Sequence, residues 1–217
     1  MRCETTIVLV MTLAGILVLS GCVGNASAPS TVYYYTLDYQ HEAPGASSRL
    51  PVVLRVNRFS VSPPFNTQRI VYAEKNLHRN TYAYHHWIAQ PGELLSYLLA
   101  RDLDRFDGFR SVLPADATQP ATHDVYGWVE EFIENDNHNP WQASIRLHIT
   151  LASALDPDAS RRILMQKQYS RTADCMAKTP AALAEAMSMA VAAIYEEVVR
   201  DIHARLNTTT NRQETPQ

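Results

Sequence analysis

From Ser144 to Ala152 apolar and polar residues alternate, with Ile145, Leu147, Ile149 and Leu151 on one parity and Arg146, His148 and Thr150 on the other. Successive side chains of a strand leave opposite faces, so this stretch makes a strand with one apolar and one wet side. A sheet built on it must find a cover for a single face. Two segments of a different period can supply that cover. Leu94, Leu95, Leu98, Leu99, Leu103 and Phe106 recur every three or four residues on a helix expected over Pro91 to Arg105, with Arg101, Asp104 and Arg105 facing water. Leu183, Met187, Val191, Ile194, Val198, Ile202 and Leu206 repeat the pattern behind the cap pair Thr179-Pro180. The fold class that follows is α+β: a two-layer sandwich of a mostly antiparallel sheet, with two amphipathic helices packed on one face.

The other strands are read from aromatic and β-branched runs between turn residues. They are Val32 to Asp38, Val52 to Val56, Arg69 to Ala73, Thr81 to His85 and Phe109 to Leu113. Val52 to Val56 is apolar on nearly both faces and belongs in the centre of the sheet, ending before Pro63-Pro64, which cannot enter a central ladder. The pair Arg69 to Ala73 and Thr81 to His85 is expected to form a hairpin. Asp124 to Glu134, Ser144 to Ala152 and Ile163 to Arg171 follow one another across short loops as an antiparallel meander. No repeat and no second domain is visible.

The N-terminus reads as a processing signal. After Arg2, an apolar run from Ile7 ends in Leu19-Ser20-Gly21-Cys22, small residues directly before a cysteine. This is the pattern of a bacterial lipoprotein, in which a diacylglyceryl group is attached to Cys22 and cleavage makes Cys22 the first residue. A transmembrane helix is the alternative, but a span needs about 20 apolar residues, and Gly15 and Ser20 interrupt a shorter run. The chain therefore divides into a signal peptide (1–21), a lipidated tether (22–31), a single periplasmic domain (32–206) and a polar, disordered tail (207–217). Val23 stands where inner-membrane retention in enteric lipoproteins uses aspartate, so resemblance to those lipoproteins implies the outer membrane, with the domain facing the periplasm. Residues 1–21 carry one basic and one acidic group, so the mature chain keeps the net charge of -3, which gives no field for nucleic acid. Of three cysteines, Cys3 leaves with the signal and Cys22 is acylated. Cys175 then stands alone, excluding an intramolecular disulfide and implying a buried thiol.

Chemistry is sparse. Among eight histidines, His85 and His86 are adjacent with His78 nearby, but strand neighbours point apart and no cysteine or carboxylate has ligand spacing, so neither metal nor cofactor is expected. Asp102, Asp104 and Asp107 interleave with Arg101 and Arg105 as on a solvated helix face. Glu130 and Glu131 are expected to point apart, with Glu134 at the end of their strand. There is no nucleophile elbow, phosphate loop or dinucleotide fingerprint, and seven glycines leave few for backbone cradles. Catalysis is not expected. The aromatic residues are more informative: with Tyr72, Tyr82, Tyr126, Trp128 and Trp141, they exceed what one sheet face can bury. Aromatic side chains are favoured at protein contacts and at membrane interfaces, and Tyr33, Tyr34, Tyr35, Tyr84 and Trp87 are the candidate interaction surface.

In their order these segments resemble the ABC-type transport auxiliary lipoprotein family, the group that includes the paraquat-inducible lipoprotein. The residues that carry the resemblance are the site at Cys22, Tyr34-Tyr35-Thr36-Leu37, the strand Val52 to Val56, and Arg69-Ile70-Val71-Tyr72. After them comes the junction from Tyr84 through Trp87 and Pro91 into the helix of Leu94, Leu98 and Leu103, where His85-His86 departs from the usual form. The resemblance implies an accessory lipoprotein without catalytic residues. Its partners would be a periplasmic MCE-domain protein and an inner-membrane transport component, in a system that moves lipids or other hydrophobic molecules between the membranes. By analogy with ring-shaped MCE assemblies, a homo-oligomer is implied as well. Two other classes compete with this reading: a lipoprotein that assembles or stabilises a different envelope complex, and an envelope hydrolase with a dispersed site.

Overall fold

Alternating and helical periods resolve into nine strands and two long helices among the described residues of a computed structural model. Those residues are 31–40, 45, 46, 48–74 and 77–213, with side chains described as far as 209. The strands are β1 (Tyr33–Tyr35), β2 (Leu50–Val56), β3 (Ser60–Val61), β4 (Arg69–Ala73), β5 (Arg79–Trp87), β6 (Phe109–Leu113), β7 (His123–Asn135), β8 (Gln142–Ser153) and β9 (Ile163–Asp174). Helix α1 is Pro91–Arg105 and helix α2 is Pro180–Gln213. The chain is α+β, and its sheet curls as a half-barrel.

One strand organises the sheet. β7 takes β8 along one edge in an antiparallel ladder running from His123↔Ser153 to Asn135↔Gln142. Along its other edge lie β2, β3 and β4 in succession, all parallel, at Leu54↔His123, Ser60↔Trp128 and Tyr72↔Glu134. The segment from Leu54 to Ala73 thus follows β7 in three pieces, interrupted by the turn Pro63–Phe65. The expected hairpin β4–β5 and the meander β7–β8–β9 are present and antiparallel. The expectation of a mostly antiparallel sheet holds for these long ladders; five shorter pairings, β1–β5, β2–β6, β2–β7, β3–β7 and β4–β7, are parallel. β2 lies between β6 and β7, the central position its composition required.

The core forms where the stripes predicted it. Val125, Val129, Leu147, Ile149 and Leu151 from the sheet are fully buried with Leu95, Leu99 and Leu103 of α1 and Leu183, Met187, Val191, Ile194, Val198 and Ile202 of α2. Each such side chain contributes roughly 1.5–3 kcal/mol against exposure. The Tyr195 hydroxyl, buried between the helices, donates to the Leu95 carbonyl at 2.8 Å. Thr179 caps α2 as expected, its Oγ1 accepting from the Ala182 amide at 3.2 Å. The far end of α2 differs from expectation. The helix continues to Gln213 through residues assigned to the tail, with the Thr208 and Thr209 hydroxyls donating to the carbonyls of Ala204 and Arg205.

A β-bulge in β7 matters for the site. Val129 pairs with Leu147 and Glu131 with Arg146, so Glu130 is the extra residue. Before it, Val125, Gly127 and Val129 face inward; beyond it the inward parity passes to Phe132 and Glu134.

Candidate interaction surface

Among the described residues β1 is an edge strand, paired with β5 alone and parallel to it, with Tyr33, Tyr34 and Tyr35 opposite His85, His86 and Trp87. Rings line this junction as well as the ladder. His85 stacks on Tyr33 at 5.4 Å between centroids, and its Nδ1 shares a hydrogen bond with the Tyr35 hydroxyl at 2.9 Å. Tyr34 meets His86 edge-on at 5.8 Å. Beyond the strands, the Ile88 amide donates to the Tyr35 carbonyl at 2.8 Å, so Ile88 continues the same edge.

The register of β5 explains which rings emerge. Arg69 pairs with His86 and Val71 with Thr81, so residues 82–85 make an excursion opposite Ile70. Tyr33, Tyr34, Tyr84 and Ile88 are left 53, 57, 48 and 55 % exposed. Tyr35 is half-buried. Trp87, expected on this surface, belongs to the core instead: it is 2 % exposed, with its indole packed on Phe132 at 5.1 Å. No carboxylate occurs from Val32 to Leu37 or from Arg79 to Gln90. Arg69 is exposed and has no ion pair among the described residues.

Behind the patch lies a polar group that the sequence did not reveal. The excursion carries Tyr82 onto Glu134, and its hydroxyl donates to Oε1 at 2.9 Å. Glu134 is 1 % exposed, and its Oε2 has no hydrogen-bond partner among the described residues. Burial pushes the carboxyl up to about 7 against the Tyr82 hydrogen bond, with the Asp136 charge adding to the rise. The Tyr82 hydroxyl is raised as well, by burial first and then by Glu134.

A second aromatic surface occupies the outward parity of β7. Tyr126 and Trp128 are both exposed, with Trp128 stacked on His148 at 4.8 Å and its Nε1 donating to Ser62 Oγ at 3.1 Å. His148 Nε2 is hydrogen-bonded to Glu130 Oε2 at 2.9 Å, which, together with Arg146, holds the Glu130 carboxyl below the usual range. Glu130 and Glu131 were expected to point apart. The bulge removes that alternation, and Arg146 Nη1 lies 3.5 Å from Glu130 and 4.0 Å from Glu131.

Asp102 also departs from expectation. It is fully buried, not on the solvated face, and accepts from the Tyr39 hydroxyl at 2.7 Å and Arg101 Nε at 2.9 Å. The signal was present in its spacing, three residues after Leu99 and seven after Leu95, which puts it on the apolar stripe. Asp104 and Arg105 are exposed as expected. Elsewhere, an open cleft of about 510 Å³ lies between Val52, His123, Leu155, Leu164 and Leu206, and burial lowers the His123 imidazole. Among the described residues no group of three or more His, Cys, Asp or Glu side chains is placed to hold a metal, and no helix is long and apolar enough to cross a membrane.

The sequence matches the model of the ABC-type transport auxiliary lipoprotein component over residues 35–199. The chain belongs to this family. In solved structures, its fold is similar to protein XCC0632 from Xanthomonas campestris, of the DUF330 family. That match has a TM-score of 0.71 at 15% identity, covering 83% of this chain and 99% of that one. An uncharacterized protein is similar with TM-score 0.61 at 14% identity, covering 80% of this chain and 99% of the other. The comparison with curated proteins finds no match. The family makes the chain a lipoprotein of the cell envelope associated with an ABC-type transport system, and nothing in it points to catalysis.

Proposed function

We propose that this family member is an adaptor held at the outer membrane by lipid on Cys22, following the processing site Leu19-Ser20-Gly21. These four residues lie outside the described ones, and the reading rests on their sequence. Facing the periplasm, the domain docks the end of a periplasm-spanning MCE-domain protein, which an inner-membrane component feeds with lipids or other hydrophobic molecules. The observation that carries this reading is that one domain holds two exposed aromatic groups on different strands: Tyr33, Tyr34 and Tyr84 on β1 and β5, and Tyr126 with Trp128 on β7. Aromatic anchors are what contact surfaces are built around. The architecture that presents them is a two-layer one, supported by the burial of both helix stripes against the inward parity of the sheet. Anchoring concentrates the dock at one membrane, so modest contacts suffice and a ring of copies would strengthen them further.

The test is gentle solubilisation of the envelope of the native host and capture of the tagged protein. Stoichiometric recovery of an MCE-domain protein and an inner-membrane transport protein is expected. The double substitution Tyr126→Ala/Trp128→Ala should lower that recovery strongly, since central aromatic anchors carry about 2 kcal/mol or more each. Capture of a different envelope complex would replace this reading with that of an assembly factor.

A further inference from the structure

One of the two exposed aromatic groups begins close in sequence to the anchor. After Val32, Tyr33 and Tyr34 follow the ten residues from Cys22 to Thr31, the stretch read as a lipidated tether. Ten residues of chain, even fully extended, reach only about 35 Å. With Cys22 in the bilayer, the start of β1 is the part of the domain held within that reach of the headgroups. That part is also where apolar surface is exposed. On an edge strand, neighbouring side chains leave opposite faces, so Tyr33 and Tyr34 straddle the β1 edge while Tyr84 and Ile88 extend it. Rings with an apolar body and a polar hydroxyl suit the headgroup level. Charge agrees: neither strand of the patch carries a carboxylate, and the exposed Arg69, in register with His86, has no ion pair among the described residues to compete with a lipid phosphate.

We propose that Tyr33, Tyr34, Tyr84 and Ile88, with Arg69 beside them, form a membrane-contact surface that seats the domain on the bilayer at headgroup depth. The inference rests on lipidation at Cys22 and deepens the adaptor reading. A domain seated by its β1 edge has a fixed orientation, and Tyr126 and Trp128 remain for the protein partner.

The experiment uses the full lipidated protein in vesicles of phosphatidylethanolamine and phosphatidylglycerol, with a nitroxide on Ile88→Cys or, as a reference, on Leu155→Cys. Leu155 is exposed beyond the His123 end of β7, away from the β4 pairing at its other end. Labelling is selective, since Cys175 is buried and Cys22 would be acylated. The Ile88 label is expected to shift toward oxygen and away from an aqueous nickel chelate, while the Leu155 label stays aqueous. Tyr33→Ser/Tyr34→Ser in the Ile88→Cys protein should return that label to water without releasing the protein from the vesicles. Flotation with an aqueous Ile88 label overturns the contact surface and leaves the anchor standing, and an Ile88 label shielded from both reagents only when the MCE partner is added reassigns the patch to that partner. Failure to float overturns the anchor, and the contact surface falls with it.

Discussion

A carboxyl group without a full set of donors is the least comfortable residue in this fold. Glu134 owes its inward position to the bulge at Glu130, and among the described residues its carboxyl accepts a hydrogen bond from Tyr82 alone. Its reference value is 4.5, and burial lifts it to about 7 in the folded chain. Between those values the folded state binds the proton and the unfolded state does not. The contribution is therefore fully present below the unfolded value and is lost as pH rises through the folded one. The gap corresponds to roughly 3 kcal/mol. Glu134→Gln keeps an acceptor for Tyr82 and removes the titration. Urea unfolding from about pH 5 to about pH 8 should show the parent losing stability relative to the variant across the interval, as linkage requires. Parallel profiles for the two proteins would show that Glu134 reaches water.

Between β2 and β3 the Asn57 amide donates to the Val125 carbonyl, and one ring packs down on β7. Phe59 is buried, and its ring covers Gly127 of β7 so closely that a Cβ there would lie 2.4 Å from it. At the start of α1, a Cβ on Gly92 would lie 2.3 Å from the Phe59 carbonyl oxygen. Two absent side chains thus admit the crossing between sheet and helix. Gly127→Ala should destabilise by about 1–3 kcal/mol through overpacking, and Phe59→Leu in the same chain should cost less than the sum of the two changes. A urea midpoint unmoved by Gly127→Ala would rule this out. Elements whose stabilisation repeats along the chain were legible: α1 begins and ends where its leucines said, and the β4–β5 hairpin and the meander follow from turn residues between alternating runs. The pairings of β1, β2, β3 and β4 with distant strands leave no local period, and the two-residue β3 is too short to show one. Asp102 was misplaced because residue type outweighed phase, and phase decided it. In β7 the reverse occurred, since an extra residue shifts the phase itself and only the partner strand reveals it.

At the scale of the whole domain, Cys175 reports on closure. It sits between β9 and α2, 3 % exposed, with its amide donating to the Trp141 carbonyl at 2.7 Å. Burial raises the thiol to about 11, with Glu134 adding to the rise. At neutral pH the thiolate is scarce and shielded, so two anchored copies crowded on one membrane are kept from cross-linking through it. The sheet and both helices meet in a single large core cluster that includes Cys175, so the thiol should become reactive only when that core opens. Alkylation of the folded protein is therefore expected to be slower than that of the unfolded chain by about 10³-fold or more, the unfolding equilibrium of an ordinary domain. Its rate should rise with urea on the slope that describes global unfolding. A rate indifferent to low urea would mean that β9 and the start of α2 open by themselves, and the domain would then have a hinge at its core.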